Sequence, residues 1–168
     1  MLRVVHAVTL VAALAGISVP ALASGSVIHA AKSWAAIDRG AVCEAQARAI
    51  RIAPKGKVQA TAGFAFSADR RRWGEFHARL SRVPRPGSSV MLTVGTQQFL
   101  LVTRGQWAWS RGPLQEQAII EATRLAGGMR VDGRDASGRR FADRYLLAGA
   151  PTAIDAAAAR CAGKIARD

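Results

Sequence analysis

Three aspartates and two histidines are the residues whose types and spacing could support catalysis. Asp132, Asp135 and Asp143 fall on the two arms of one expected hairpin. Paired carboxylates can do acid–base or metal work. Here Arg130, Arg134, Arg139, Arg140 and Arg144 surround them, so salt bridging is the expected role. Beyond Ala23 only His29 and His77 remain. His29 falls in a lead-in read as loose, and His77 on a strand face expected to be exposed. There is no GxSxG elbow, no HExxH, no glycine-rich phosphate loop after a strand and no CxxC. The chain therefore reads as non-enzymatic, with no catalytic residue, metal ligand or cofactor; an uncharacterised enzyme is the third reading, after a binding module and an adaptor.

The two cysteines, Cys43 and Cys161, carry a different message. Met1-Leu2-Arg3 is a short basic start, Val4 to Val19 an apolar run broken by Pro20, and Ala21-Leu22-Ala23 a small-x-small cleavage site. Residues 1–23 are thus expected to be a secretory signal. The run is shorter than the ~20 residues that span a bilayer. Residues 24–168 are expected to form a single β-rich domain, periplasmic or secreted by a bacterium. Two cysteines in an exported chain fit one disulfide, with two buried thiols as the alternative. A Cys43–Cys161 bond would tie the last helix to the first strands.

The 168 residues hold 24 Lys and Arg against 11 Asp and Glu, a formal net charge of +13. Twenty of the 24 are arginine. Such a surface attracts anions; the alternative is a coding bias that raises arginine and alanine together. The candidate anion-binding residues are Arg70, Arg71, Arg72, Arg79, Arg82 and Arg85. The partner classes are an anionic envelope lipid, lipopolysaccharide or an acidic protein; nucleic acid does not suit an exported chain. Trp107 and Trp109 share one face of a short strand. They fit a carbohydrate-stacking platform, the cover of a core's open end, or an apolar patch through which an adaptor or chaperone-like factor meets a protein partner.

The elements that must position these residues follow from periodicity and turn signals. Ser24 to Lys32 is read as loose, and Ser33 to Ile37 as a first short strand. Ala41 to Ile50 fits either a strand or a short helix. Val58 to Phe66 alternates as a strand, with Gly63 a possible bulge. Phe76, Ala78 and Leu80 oppose His77, Arg79 and Ser81, a period of two. Val90 to Val94 and Gln98 to Thr103 form a hairpin around Gly95-Thr96. Pro113 opens a helix over about residues 113–126, with Leu114, Ala118, Ala122 and Leu125 as its stripe. Met129 to Asp135 and Arg139 to Leu147 form a second hairpin, with Phe141, Asp143, Tyr145 and Leu147 on one face. A last helix over about 151–166 carries Ile154, Ala158, Cys161 and Ile165. The expected class is mainly β with two helices, α+β. The expected form is an antiparallel β-sandwich-like or strongly bent sheet with the C-terminal helix packed on it.

The early Trp34 and Cys43, the central hairpin leading into Trp107 and Trp109, and the segment Asp143-Arg144-Tyr145-Leu146-Leu147-Ala148-Gly149-Ala150 before an Ala-rich helix and Cys161 resemble one family. These features are similar to the invasion-associated locus B family and related secreted proteins of alphaproteobacteria, over roughly residues 33 to 162. The chain departs from that pattern in having one cysteine near its start and none in its middle. It also has Leu146-Leu147 where a Ser-Leu is usual. The resemblance implies a periplasmic or surface protein, some members being linked to host-cell invasion. It supplies no catalytic residues. The expected function is a cell-envelope binding or interaction module.

Overall fold

The computed structural model describes residues 25–164. The expected signal, residues 1–23, and Ile165 of the C-terminal stripe lie outside them. The elements run β1 (Ser26–Ala31), β2 (Trp34–Asp38), β3 (Val42–Arg48), β4 (Thr61–Ser67), β5 (Trp73–Arg79), β6 (Val90–Val94), β7 (Gln97–Arg104), β8 (Trp107–Trp109), α1 (Pro113–Leu125), β9 (Gly128–Arg134), β10 (Arg140–Leu146) and α2 (Ala150–Ala162). All ten strands join one sheet in the order β1-β2-β3-β4-β5-β8-β7-β6-β9-β10. Each neighbouring pair is antiparallel. The mainly β class with two helices is therefore correct.

The sheet is strongly bent. β10 lies at one end of the strand order and β2 and β3 near the other, yet they meet. Trp34 Nε1 donates to the Leu146 carbonyl at 2.8 Å. The Ile50 N–H donates to the Arg144 carbonyl at 2.8 Å, and the Ser33 N–H to that of Ala148 at 3.4 Å. A flat sheet would hold these strands many spacings of ~4.8 Å apart.

Side-chain alternation puts one set of residues inside the bend. Trp34, Ala36, Cys43, Ala45, Ala47, Ala62, Phe64, Phe76 and Ala78 are buried along β2 to β5, with Val90, Leu92, Val131, Phe141 and Tyr145 from the other half. α2 covers β1 to β4, and α1 lies against β5, β6 and β7. The buried face of α2 is Ala150, Ala153, Ile154, Ala157 and Cys161. The strands beneath it also present alanines, so helix and sheet can approach closely. Cys43 and Cys161 are bonded with their Cα atoms 5.7 Å apart. Beside them, buried Asp38 takes Arg160 Nε at 2.7 Å and the Lys164 ammonium. Those two hydrogen bonds, Lys164 first, hold its carboxyl far below the usual carboxylate range.

Several local expectations need correction. The lead-in is not loose: Ser26–Ala31 is β1, an edge strand paired with β2. Its side chains are almost all exposed, so no apolar alternation marks it. Ala41 to Ile50 resolves as a strand, β3. Gly63 is not a bulge: it pairs in register on both sides, and the irregularity lies in β5, where Gly74 is the extra residue opposite Ala65 and Phe66. The stripe assigned to α1 is wrong in part. Leu114 and Leu125 are 87% and 89% exposed, while Glu116, Ile119, Ala122 and Thr123 face inward. Glu116 is accommodated because Ser110 Oγ donates to it at 3.0 Å, and Thr123 Oγ1 donates to the Ile119 carbonyl. Ala158 of α2 is only half-buried.

Candidate functional site

The outer face of the β9–β10 hairpin concentrates positive charge. The register sets Arg130 directly opposite Arg144, Asp132 opposite Ala142, and Arg134 opposite Arg140. The alternate residues, Val131, Gly133, Phe141, Asp143 and Tyr145, turn into the bend, so all four arginines face out. Directly opposed side chains have Cβ atoms about 4.5–5.5 Å apart, and like charges there destabilise the pair. Arg130 Nε is held by Asp132 Oδ1 at 3.0 Å, and Arg134 donates to the Gly138 carbonyl at 2.9 Å. Among the described residues, Arg134, Arg140 and Arg144 have no carboxylate within ion-pair distance. Four cations thus face one anion.

Two shallow hollows flank this ladder. One, about 680 Å³, is bordered by Ser88, Ser89, Arg130, Arg134 and Arg140. The other, about 540 Å³, lies beside Arg130, Arg144, Thr93 and Gln98. Guanidinium groups with neighbouring hydroxyls and amides can take the oxygens of a phosphate or carboxylate bidentately.

Asp135 anchors the hairpin tip. It is buried, receives the Ser137 hydroxyl at 2.6 Å and the Arg139 N–H at 3.0 Å, and pairs with Arg82 at 3.1 Å. The Ser137 hydrogen bond leads the groups that lower its carboxyl's pKa. The Arg85 N–H donates to the Arg134 carbonyl at 2.8 Å. Of the six arginines proposed from sequence, Arg82 and Arg85 therefore reach the β9–β10 tip. Arg70, Arg71 and Arg72 sit at the other end of β5, where Arg70 lies 5.4 Å over Trp73 and Arg71 and Arg72 lie near Asp69 and Glu75. Arg79 is exposed on the outer face, opposite Trp107. Arg130, Arg134, Arg140 and Arg144, read as partners for the aspartates, are the ones that make a continuous face.

Salt bridging is right for Asp132 and Asp135 but not for Asp143. Asp143 is buried and accepts the Ser81 N–H at 2.9 Å, and burial raises its pKa. Next along β10, burial likewise raises the Tyr145 hydroxyl's pKa, and that hydroxyl has no partner among the described residues. These carboxylates share no site, and the described residues hold no cluster of three metal-ligating side chains.

Trp107 and Trp109 lie on the outer face of β8 with their rings stacked at 6.3 Å and 19°. The core beneath is closed by Ala108, which is fully buried. His77, opposite Trp109, corrects the sequence reading: it is on the outer face yet only 6% exposed. Gly63 explains this. It lies opposite His77, and a Cβ there would stand 3.0 Å from His77 Nε2 and 2.6 Å from the Ala45 carbonyl oxygen. The ring lies down over the glycine.

Burial lowers the His77 pKa, with Glu44 at 3.8 Å opposing the shift and Arg72 and Arg39 adding to it. A depressed folded pKa means that the unfolded chain takes up the proton first. Stability conferred by neutral His77 is complete above the unfolded value of about 6.5 and is lost as pH falls through the folded pKa. The slope is at most one proton, about 1.4 kcal/mol per pH unit. Urea unfolding of wild type and His77→Gln from neutral pH downward is expected to give a difference curve of that sign. A flat difference would contradict it.

No family model, no curated protein and no solved structure matches the chain. No helix among the described residues is long and apolar enough to cross a membrane. The disulfide fits a non-cytoplasmic, oxidising compartment.

Proposed function

We propose that this chain is an extracytoplasmic, non-enzymatic binding module whose β9–β10 face docks on an anionic, phosphate-bearing lipid surface of the cell envelope. The supporting observation is the pair of like-charged rungs, Arg130 opposite Arg144 and Arg134 opposite Arg140, with Asp132 the only carboxylate between them. Like charges set directly opposite each other destabilise the strand pair. Rows that faced only water would gain from opposite charges. The cost is relieved when phosphate oxygens lie across the rungs. Rungs four residues apart stand about 13 Å from one another along the strands. A planar surface with many phosphates can therefore engage both at once.

The compartment is part of the same proposal. A disulfide that spans nearly the whole fold suits the periplasm or the outside of the cell. The resemblance to the invasion-associated locus B family points to the same place.

The test is sedimentation of the mature protein with phosphatidylglycerol-containing and neutral phosphatidylcholine vesicles across a salt series. Binding is expected to the anionic vesicles alone. It should weaken steeply as screening shortens toward about 8 Å at physiological ionic strength. No binding, or binding indifferent to salt, would overturn the reading.

A further inference from the structure

A further concavity lies on the outer face of β3, β4, β5 and β8, away from the arginine ladder. Its volume is about 400 Å³. Its floor is set by small residues. Gly63 lies between Gln46 and His77 in the pairing, and Ala65 between Glu44 and Glu75. One wall is the stacked Trp107–Trp109 pair; Trp107 is 38% exposed although the core needs neither ring. His77 leans between wall and floor, its ring centroid 6.3 Å from that of Trp107. A nine-tenths-buried histidine, an amide, two carboxylates and two indoles thus converge on one dent in an otherwise regular sheet.

The charges in this dent cancel. Arg39 Nε is 2.5 Å from Glu44 Oε2, and Arg72 lies 3.9 Å from Glu75. Burial raises the Glu75 pKa. A cationic ligand would have to draw the carboxylates from their arginines, and an anion would have to do the reverse. The fitting ligand is uncharged. It needs a flat apolar face for the indoles and a periphery of hydroxyls for planar donors and acceptors. Pyranose rings have both: their axial C–H groups stack on tryptophan, and their hydroxyls bond to carboxylate, amide and imidazole.

We propose that the concavity between Glu44, Glu75, His77 and the Trp107–Trp109 pair binds an uncharged oligosaccharide. The dent is open along the sheet, so a chain of sugars crosses it rather than a single sugar being enclosed. This site is separate from the β9–β10 face, and its binding is indifferent to salt.

The experiment uses the mature protein and three probes: cellotetraose, maltotetraose and N-acetylchitotetraose. Two-dimensional proton–nitrogen NMR follows the indole N–H signals. With at least one probe the Trp107 and Trp109 signals are expected to shift saturably in the millimolar range, with Trp34 unmoved. Trp107→Ala and Trp109→Ala should each weaken binding about tenfold. If either variant loses its native spectrum, Gln46→Ala removes only a rim amide and should weaken binding severalfold; unchanged affinity there counts against the site. Tetramethylammonium and inorganic phosphate are the control probes. Saturable shifts of the same signals with either one would mean a charged ligand and overturn the proposal. So would the absence of any shift with all three tetrasaccharides. Vesicle binding is read separately, so failure of either site leaves the other standing.

Discussion

Replacing both cysteines, Cys43→Ala with Cys161→Ala, is expected to lower the stability of the fold by roughly 4–5 kcal/mol. The bond joins residues 118 positions apart, so the unfolded chain without it regains the freedom of a very long loop. Folded domains of this size are stable by only about 5–15 kcal/mol. The bond therefore carries a large share of the margin. Its environment argues that removal costs little beyond this: Cys43 and Cys161 are fully buried among Ala45, Phe66 and Ala157, where two alanines leave no polar group behind. Replacing both avoids an unpaired thiol. The check is urea unfolding of the double variant and of oxidised wild type, with intact mass confirming the bond. A loss under about 1 kcal/mol would mean that the denatured state is already constrained or that α2 is held mainly by packing.

Trp34→Ala is expected to cost about 3–5 kcal/mol. Trp34 is fully inside the bend, with its ring centroid 6.0 Å from that of Phe64, which in turn meets Phe76 edge-on at 5.5 Å. Its indole N–H also holds the Leu146 carbonyl, one of the few bonds that close β10 onto the first half of the sheet. The substitution opens a cavity and orphans that carbonyl. Trp34→Phe separates the two effects: it keeps most of the apolar volume and should cost about 1–3 kcal/mol for the unpaired acceptor. Denaturant unfolding of both variants measures the split. Equal losses would show that the indole hydrogen bond, rather than packing, is the main contribution.

Hairpins, helices and the disulfide were legible because each has a local signature. Gly95-Thr96 and Ala136-Ser137-Gly138 sit between alternating runs, Pro113 and Pro151 open helices, and Cys161 follows an alanine-rich stripe. β1 was not legible, because a strand whose side chains are exposed has no period to read. The inward face of α1 was misread for the opposite reason. Leu114 and Leu125 are apolar but lie on the side of the helix opposite Ile119 and Thr123, facing away from the sheet, while Glu116 is turned inward to Ser110. His77 was assigned by its own strand's alternation to an exposed face. The face was right, but burial came from Gly63 on the neighbouring strand to one side and from Trp107 on the strand to the other. Asp143 looked like an ion-pair acceptor in an arginine-rich segment; alternation carries it inward to the Ser81 N–H, away from Arg144 and Arg140.

The arginine ladder shows what register adds. Each of Arg130, Arg134, Arg140 and Arg144 is visible in the sequence. Their direct opposition depends on where the β9–β10 turn closes, and Asp135, through Ser137 and Arg139, fixes that closure. Arg82 and Arg85 arrive there only because Pro84 bridges to Asp135. Arg70, Arg71 and Arg72, the densest basic run, lie at the opposite end of β5 and are partly engaged with Asp69, Glu75 and Trp73.

The most direct measurement compares two variants on the same phosphatidylglycerol-containing vesicles at low salt. One is Arg140→Gln with Arg144→Gln, which removes one arginine from each rung, both of them without a carboxylate partner. The other is Arg70→Gln with Arg71→Gln, which removes equal charge from the far turn. Binding is expected to be largely lost in the first and nearly kept in the second. Equal losses would make the attraction a matter of net charge alone, and loss only in the second would place the docking face at the β4–β5 turn instead.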